Sequence, residues 1–174
     1  MYTLGDISRK GFALHRNRTA MVFEGTRVTY AALEDRVNRL ANALIGLGLR
    51  KGGRVTILAE NTCKYMEVYL GAAKAGLSVT PLNFRLSDKE LTYIVNDCEA
   101  TVFFVGDGLE ERGQTLLKSL KGIEHFVFLN RRGDGIAYYE ELLESASSAD
   151  PLIEVDESEM AILMYTGGTT GLPK

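Results

Sequence analysis

The residues best suited to chemistry form one short loop near the end of the sequence. Five apolar or aromatic residues, Ala161 to Tyr165, are followed by Thr166-Gly-Gly-Thr-Thr-Gly-Leu-Pro-Lys174. An apolar run that leads into glycines predicts a buried strand that ends in a loop. Glycines permit positive φ angles, so that successive N–H groups can turn toward one anion, and threonine hydroxyls add further donors. Together with the charge of Lys174, this composition predicts a phosphate-binding loop.

This loop differs from a Walker P-loop, in which the lysine directly follows a glycine, precedes Ser or Thr, and opens a helix. Leu172 and Pro173 separate Gly171 from Lys174, and a proline disfavours the helical conformation of the residue before it. We therefore expect the chain to leave the loop in an extended conformation. A glycine- and threonine-rich turn without a ligand is the alternative that these residues alone leave open.

Composition indicates an ordinary globular protein. The 174 residues are 45% hydrophobic and 25% charged, with a net charge of −3, which is sufficient for one domain with a core. The sequence has no basic block, so we do not expect a nucleic-acid partner. No apolar run approaches the roughly 20 residues of a membrane span, and the first residues do not resemble a signal peptide. Cys63 and Cys98 lie far apart, which favours free thiols in a reducing compartment and a cytoplasmic location.

Strands and helices alternate along the chain. Strands are predicted over residues 54–59, 77–80, 101–105, 123–129 and 160–166, with a hairpin around Gly25. Helices are predicted over residues 3–16, after the cap Thr29 to Gly46, after the cap Asn61 to Ala75, from the capping box at Ser87 to about Asp97, and over 108–120 and 138–147. This alternation predicts a three-layer, doubly wound α/β fold, whose mainly parallel sheet has helices on both faces. Ligands bind at the carboxyl ends of the strands in such folds, and we expect the glycine loop there.

The ten residues Tyr165 to Lys174 resemble the signature Tyr-Thr-Ser-Gly-Thr-Thr-Gly-x-Pro-Lys of the adenylate-forming, or AMP-binding, enzymes, with Gly167 in place of the serine. Val28–Leu33 resembles the family's Leu-Thr-Tyr-x-Glu-Leu segment but lacks the glutamate. Ala73–Gly76 and Pro81–Asn83 are similar to a further block of the family. The segment Asn83–Ser87 is closest to acyl-CoA synthetases, including long-chain-fatty-acid–CoA ligases.

The resemblance covers nearly the whole chain but only about the first third of such an enzyme. The chain also ends on the last residue of its best motif. We therefore expect residues 1–174 to be the N-terminal portion of the adenylation domain, the large domain of acyl-CoA synthetases, truncated at the phosphate loop and without the C-terminal lid domain. We expect this portion to be inactive by itself.

The resemblance implies an acyl-CoA synthetase that activates a carboxylic acid, expected to be a fatty acid, with Mg-ATP and transfers the acyl group to coenzyme A. The nucleotide-binding residues that it implies are Thr166, Gly167, Gly168, Thr169, Thr170, Gly171 and Lys174. No catalytic residue and no metal ligand is expected within this chain. An exposed sheet edge at the truncation predicts a possible homo-oligomer.

Two alternatives of other classes stay open. One is an autonomous flavodoxin-like module that binds a phosphate or nucleotide, and the other is an adenylation module that loads a carrier protein. Outside the loop, His15 and His125 lack ligand spacing and are expected to be structural or exposed. Arg85 is either an anchor of its loop or a residue that faces the nucleotide.

Overall fold

The computed structural model describes residues 3–166, which form a parallel sheet between two helical layers. The strands are β1 (Thr19–Phe23), β2 (Thr26–Thr29), β3 (Arg54–Leu58), β4 (Ser78–Leu82), β5 (Val102–Val105), β6 (His125–Phe128) and β7 (Ala137–Tyr138). The helices are α1 (Asp6–His15), α2 (Tyr30–Gly46), α3 (Cys63–Lys74), α4 (Asp88–Asp97), α5 (Glu110–Leu117) and α6 (Tyr139–Glu144). The main sheet has the order β4-β3-β5-β6-β7, and all of its pairs are parallel. The predicted fold class is confirmed.

Each face of the sheet carries its own apolar core. On one face, α2, α3 and α6 pack on the sheet through residues such as Leu40, Val68 and Tyr139. On the other face, α4 and α5 pack on it through residues such as Leu91 and Leu116. Strands covered on both faces need apolar side chains at successive positions. This requirement explains the run Val-Phe-Phe-Val of β5, in which every residue is buried.

Local sequence signals fix several element ends. The side chain of Thr29 accepts a hydrogen bond from the Ala32 amide and caps α2. Ser87 and Glu90 form the predicted capping box of α4, because each side chain bonds the backbone amide of the other residue. β1 and β2 form the predicted antiparallel hairpin, and Gly25 has the positive φ of 80° that its tight turn requires.

Other predicted boundaries are wrong in detail. Thr62, not Asn61, caps α3, since its hydroxyl accepts from the amide of Tyr65. Pro81 lies inside β4 instead of ending it. β4 is one of the two edge strands of the sheet, and its Val79 amide points outward to bond Ala161. Residues two apart share a side of the strand, so the proline nitrogen also faces outward and no bond to β3 is lost. The two residues of β7 were not predicted.

The apolar residues of the first predicted helix (3–16, α1 in the structure) predict an inner face with Leu4, Ile7, Gly11 and Leu14, and the structure bears out only Leu4 and Gly11. Ile7 and Leu14 are 52% and 72% exposed, whereas Ser8 is buried. Small residues three apart form the contact face instead: Gly5 lies against the backbone of α3 and Gly11 lies against an aromatic ring of α2. A side chain at either glycine would collide with these neighbours, so the close approach depends on their size.

The segment 160–166 is not the buried strand that its apolar sequence predicts. It has one isolated bridge, in which Ile162 pairs in parallel with Val79 of β4. Ile162 and Met164 are 38% and 62% exposed, so apolar side chains alternate between the protein and solvent. Among the residues that the structure describes, nothing covers the outer side of this segment.

Candidate functional site

The predicted phosphate loop lies at the limit of the described structure. Thr166 is the one predicted site residue within it, and its side chain is exposed. The other residues of that prediction, Gly167, Gly168, Thr169, Thr170, Gly171 and Lys174, lie outside the described residues. Their role in binding phosphate therefore stays a prediction, and the structure contributes the elements that lead to them.

The segment before the loop is fixed on the outer edge of β4. The Val79 amide donates to the Ala161 carbonyl at 3.0 Å, and the Leu163 amide donates to the Val79 carbonyl at 3.0 Å. Two backbone bonds at one bridge define both the direction and the register of the segment, which runs parallel to β4. Thr166 thus follows a segment whose backbone path is set by the sheet.

Tyr165 adds a side-chain anchor beside the sheet. Its hydroxyl donates to Asp97 Oδ2 at 2.6 Å, and its ring packs on the core formed with α4. Burial raises the pKa of this phenol, and the hydrogen bond to Asp97 raises the pKa further. Next to Asp97, the Cys98 carbonyl accepts from Arg54, the first residue of β3. The contact between Tyr165 and Asp97 thus lies near the amino end of β3. The expected position of the glycine loop at the carboxyl ends of the strands stays a prediction.

An open cleft lies at the carboxyl ends of β3 and β4. It has a volume of about 550 Å³ and is lined by Phe23, Glu24, Glu60, Asn61, Thr62, Asn83, Phe84 and Arg85. The chain leaves β3 toward α3 on one face of the sheet and leaves β4 toward α4 on the other face. This opening lies outside the carboxyl ends of two parallel strands, which is the end of the sheet where open α/β folds bind ligands. We call it the β3–β4 cleft.

The loop that follows β4, on one side of the cleft, is fixed by hydrogen bonds within it and from α5. Asn83 Oδ1 accepts from the Arg85 amide at 3.0 Å and closes a local turn. Arg112 of α5 donates to the carbonyls of Phe84 and Leu86 and pairs with Asp88 at 2.7 Å. The Arg112 guanidinium therefore fixes the backbone of residues 84–86, which carries the cleft residues Phe84 and Arg85.

Arg85 is the cation of the cleft. Its side chain is exposed, and its guanidinium lies 5.7 Å from the centre of the Phe84 ring. Among residues 3–166, no carboxylate forms an ion pair with it. An unpaired arginine keeps all of its donors available for an anionic group. Because Arg112 already holds the backbone of this loop, the structure favours the second role predicted for Arg85, a residue that faces the nucleotide.

Two further predictions concern residues elsewhere. His125 Nε2 lies 3.2 Å from the Leu47 carbonyl, and the His15 ring lies 6.3 Å from that of Tyr30. His15 is exposed and His125 is half-buried, which agrees with the predicted structural or exposed positions. Within the described part of the chain, no group of three His, Cys, Asp or Glu side chains is arranged to hold a metal ion. No helix there has the length and hydrophobicity to cross a membrane.

Comparison with known proteins decides the family. The profile of the family described as AMP-binding enzyme matches residues 9–174. The chain belongs to the AMP-binding enzyme family. This match includes the β3–β4 cleft and continues through the predicted phosphate loop.

Several relatives of the chain are named CoA ligases or CoA synthases. It is 36% identical over 149 residues to a long-chain-fatty-acid–CoA ligase of Thermus thermophilus, covering 85% of this chain and 27% of that protein. It is 36% identical over 156 residues to a feruloyl-CoA synthase of an Amycolatopsis species, covering 90% of this chain and 29% of that protein. The chain therefore spans less than a third of the length of these relatives.

Solved structures agree with this assignment. The anthranilate CoA ligase AuaEII, in complex with anthranoyl-AMP, superimposes with a TM-score of 0.89 at 26% identity, covering 99% of this chain and 33% of that one. The inhibitor-bound N-terminal domain of FACL13 from Mycobacterium tuberculosis gives 0.87 at 28% identity, covering all of this chain and 43% of that one. Both are similar to this chain over at least 99% of its length.

The β3–β4 cleft is the part of this AMP-binding enzyme that its sequence did not reveal as one site. Asn61 and Arg85 stand far apart in the chain, and only the pairing of β3 with β4 brings their loops together. The available signal was that both loops directly follow predicted strands. Adjacency of two parallel strands depends on sheet order, which local patterns do not encode.

Proposed function

We propose that the whole protein is an AMP-forming acyl-CoA synthetase. It activates a carboxylic acid with Mg-ATP to an acyl-adenylate and pyrophosphate, and coenzyme A then displaces AMP to give the thioester. The observation that carries this proposal is the family match through residue 174, together with relatives that are named CoA ligases. Because the chain spans less than a third of those relatives, the activity is proposed for the protein that contains it.

The chemistry explains the composition of the loop. A carboxylate must attack the α-phosphate of a polyanion, so the site has to neutralise charge and align the reactants. In this proposal, N–H groups of Thr166 to Gly171 and the hydroxyls of Thr169 and Thr170 hold the β- and γ-phosphates. Lys174 neutralises the charge of the departing pyrophosphate. Gly167 contributes a backbone donor but no hydroxyl.

The β3–β4 cleft offers a second contact for an anionic substrate. Arg85 is exposed, unpaired among the described residues and mounted on a loop that Arg112 fixes. In this proposal its guanidinium contacts a phosphate of ATP or of coenzyme A. Glu24 and Glu60 line the same cleft, so the proposed contact rests on the hydrogen-bond donors of Arg85 and not on a positive charge of the cleft as a whole.

The acid substrate is proposed to be a fatty acid. Relatives named for long-chain fatty acids support this choice. Others are named for 4-hydroxybutyrate, 3-methylmercaptopropionate and ferulate, so their names alone support several classes of acid. A panel of acids therefore forms part of the test.

The first test measures acid-dependent exchange of pyrophosphate into ATP by the full-length protein. We expect exchange with fatty acids and thioester formation when coenzyme A is added. The 174-residue chain alone should show no exchange above a heat-treated control, because most of the length of its relatives is missing. Transfer to a carrier protein but not to coenzyme A would support the carrier-loading alternative, and nucleotide binding without acid-dependent exchange would contradict the synthetase.

A further inference from the structure

Residues 145–159, which we call the strap, join α6 to the segment that leads to the phosphate loop. The strap has no regular secondary structure, yet polar side chains of α2 hold its backbone. Asn38 donates to the Ser148 carbonyl at 2.9 Å, and Arg39 donates to the Ala146 carbonyl at 2.9 Å. Asn42 donates to the carbonyls of Ser147 and Ala149, each at 2.7 Å. One helix thus satisfies four consecutive carbonyls of an irregular segment.

Asp150 is the charged contact that follows these four carbonyls. Its two carboxylate oxygens accept from Arg9 Nε at 2.7 Å and Arg9 Nη2 at 3.0 Å. Its Oδ2 also lies 3.4 Å from Lys74 Nζ. The Leu152 amide donates back to Asp150 Oδ1 at 2.9 Å, which turns the strap locally. A bidentate arginine contact fixes orientation as well as distance, so Asp150 has a defined place against α1 and α3.

Lys74 connects this contact to the interior. Its side chain is 1% exposed, and its Nζ lies 2.6 Å from both Glu34 Oε1 and Asn38 Oδ1. A buried charge has to keep its partners, because separating it from them leaves an uncompensated ion. Asn38 therefore binds Lys74 through its oxygen and the strap through its nitrogen. α2, α3 and the strap share one polar network.

The strap leads directly into the segment that is hydrogen-bonded to the outer edge of β4. Near its end, Lys51 Nζ pairs with Glu159 Oε1 at 2.7 Å. The backbone bonds between Val79 and residues Ala161 and Leu163 follow, and Thr166 comes after them. The last charged contact that binds the strap to the buried network is therefore Asp150.

We propose that Asp150 is a positioning residue of the phosphate loop. Held by Arg9 and Lys74, it fixes the strap, and the strap in turn fixes the docking of residues 161–163 on β4 and the point from which Thr166 starts the loop. The catalytic consequence rests on the proposed synthetase function, whereas the structural consequence is independent of it.

Asp150→Asn is a suitable test because it removes the carboxylate charge but leaves Arg9 and Lys74 with other partners. Arg9 keeps its ion pair with Asp6, and Lys74 keeps Glu34 and Asn38. The fold should therefore survive. Glu141→Gln is the matched control, since it removes one negative charge from an arginine pair, Arg132 Nε to Glu141 Oε1 at 2.6 Å, and leaves Arg9, Asp150 and Lys74 untouched.

Hydrogen exchange of the full-length protein measures the structural part. We expect the amides of Val79 and Leu163 to exchange about tenfold faster in Asp150→Asn than in the wild type, because a charge-assisted contact no longer holds the strap. Amides of β5 should be unchanged in both variants, and Glu141→Gln should leave Leu163 unchanged. Unchanged exchange at Leu163 in Asp150→Asn, or an equal acceleration in the control, would overturn the proposal.

Steady-state kinetics measure the catalytic part. We expect Asp150→Asn to raise the KM for ATP by about fivefold to tenfold while the KM for the acid stays at the wild-type value, since the misplaced loop contacts phosphate. A lower kcat with unchanged KM values for ATP and for the acid would indicate a general structural role. That result would overturn the proposal that Asp150 positions the loop. A wild type without acid-dependent exchange of pyrophosphate into ATP would contradict the proposed function. Amide hydrogen exchange at Leu163 would still decide whether Asp150 positions the segment.

Discussion

Lys174 and Thr170 provide the most direct test of the phosphate loop at the scale of single residues. A hydrogen bond to a charged group contributes roughly 1.5–3 kcal/mol. If that contribution acts on the transition state, Lys174→Ala or Thr170→Ala should slow adenylation by about 10- to 150-fold. Pre-steady-state formation of the acyl-adenylate measures this step. Lys118→Ala removes an exposed lysine at the end of α5 and serves as the control; wild-type rates in both loop variants would exclude the phosphate role.

Single-residue roles can be predicted from the sequence only where their cause is local. The loop motif combines glycines, hydroxyls and a lysine within nine residues, so a phosphate-binding role can be predicted for it without a fold, and that role stays a prediction. Arg85 and Arg112 cannot be distinguished in the same way. Arg112 binds carbonyls 26 and 28 residues earlier in the chain, whereas Arg85 has no carboxylate partner among the described residues. Partners that distant are set by the packing of α5 on the β4 loop.

Two glycines test how α2 and α3 pack at the scale of elements. A Cβ on Gly71 of α3 would lie 2.8–3.0 Å from the side chain of Leu40, while a Cβ on Gly46 of α2 would meet nothing within 4 Å. Overpacking costs about 1–3 kcal/mol, and alanine favours a helix over glycine by about 1 kcal/mol. We therefore expect Gly71→Ala to destabilise the protein and Gly46→Ala to leave its stability unchanged or raised. Urea unfolding measures both, and equal stability of the two variants would contradict the predicted contact.

At the same scale, elements with local signals were predicted and elements that depend on neighbours were not. The capping box of Ser87 and the cap of Thr29 fix the starts of α4 and α2 through contacts within three residues. β7 has only two residues and exists because β6 offers it an edge. The apolar segment 160–166 predicted a buried strand, but burial requires a neighbour on each side. Within residues 3–166 it has β4 alone.

The order of the strands governs the whole molecule. Alternation of strand and helix predicted the parallel sheet and its two helical layers, because apolar strands without alternation need cover on both faces. The order β4-β3-β5 could not be inferred from that pattern, although it creates the β3–β4 cleft. It also makes β4 an edge strand, which is why the segment before the predicted phosphate loop can dock there.

Acid should lower the stability of the native state, because the fold lowers the pKa of some of its carboxylates. The hydrogen bond from Arg9 keeps the pKa of Asp150 below its usual value, and the Thr3 amide lowers the pKa of Asp6. A carboxylate with a lowered folded-state pKa stabilises the native state at a pH above its unfolded pKa of about 3.9, and this stabilisation is lost as pH falls through the folded pKa. The thermal midpoint of the full-length protein should therefore decrease below about pH 4.

The same linkage predicts how Asp150→Asn changes the acid response. Asparagine cannot be protonated in this range, so the variant lacks the contribution that the wild type loses in acid. We expect the variant to melt below the wild type at pH 7 and the gap between their thermal midpoints to narrow progressively from pH 4 to pH 2.5. Melting curves of both proteins at constant ionic strength measure the gap, since salt screens the Arg9 pair. A gap of constant size across this range would mean that the charge of Asp150 does not stabilise the strap, and a gap that widens in acid would reverse the predicted sign.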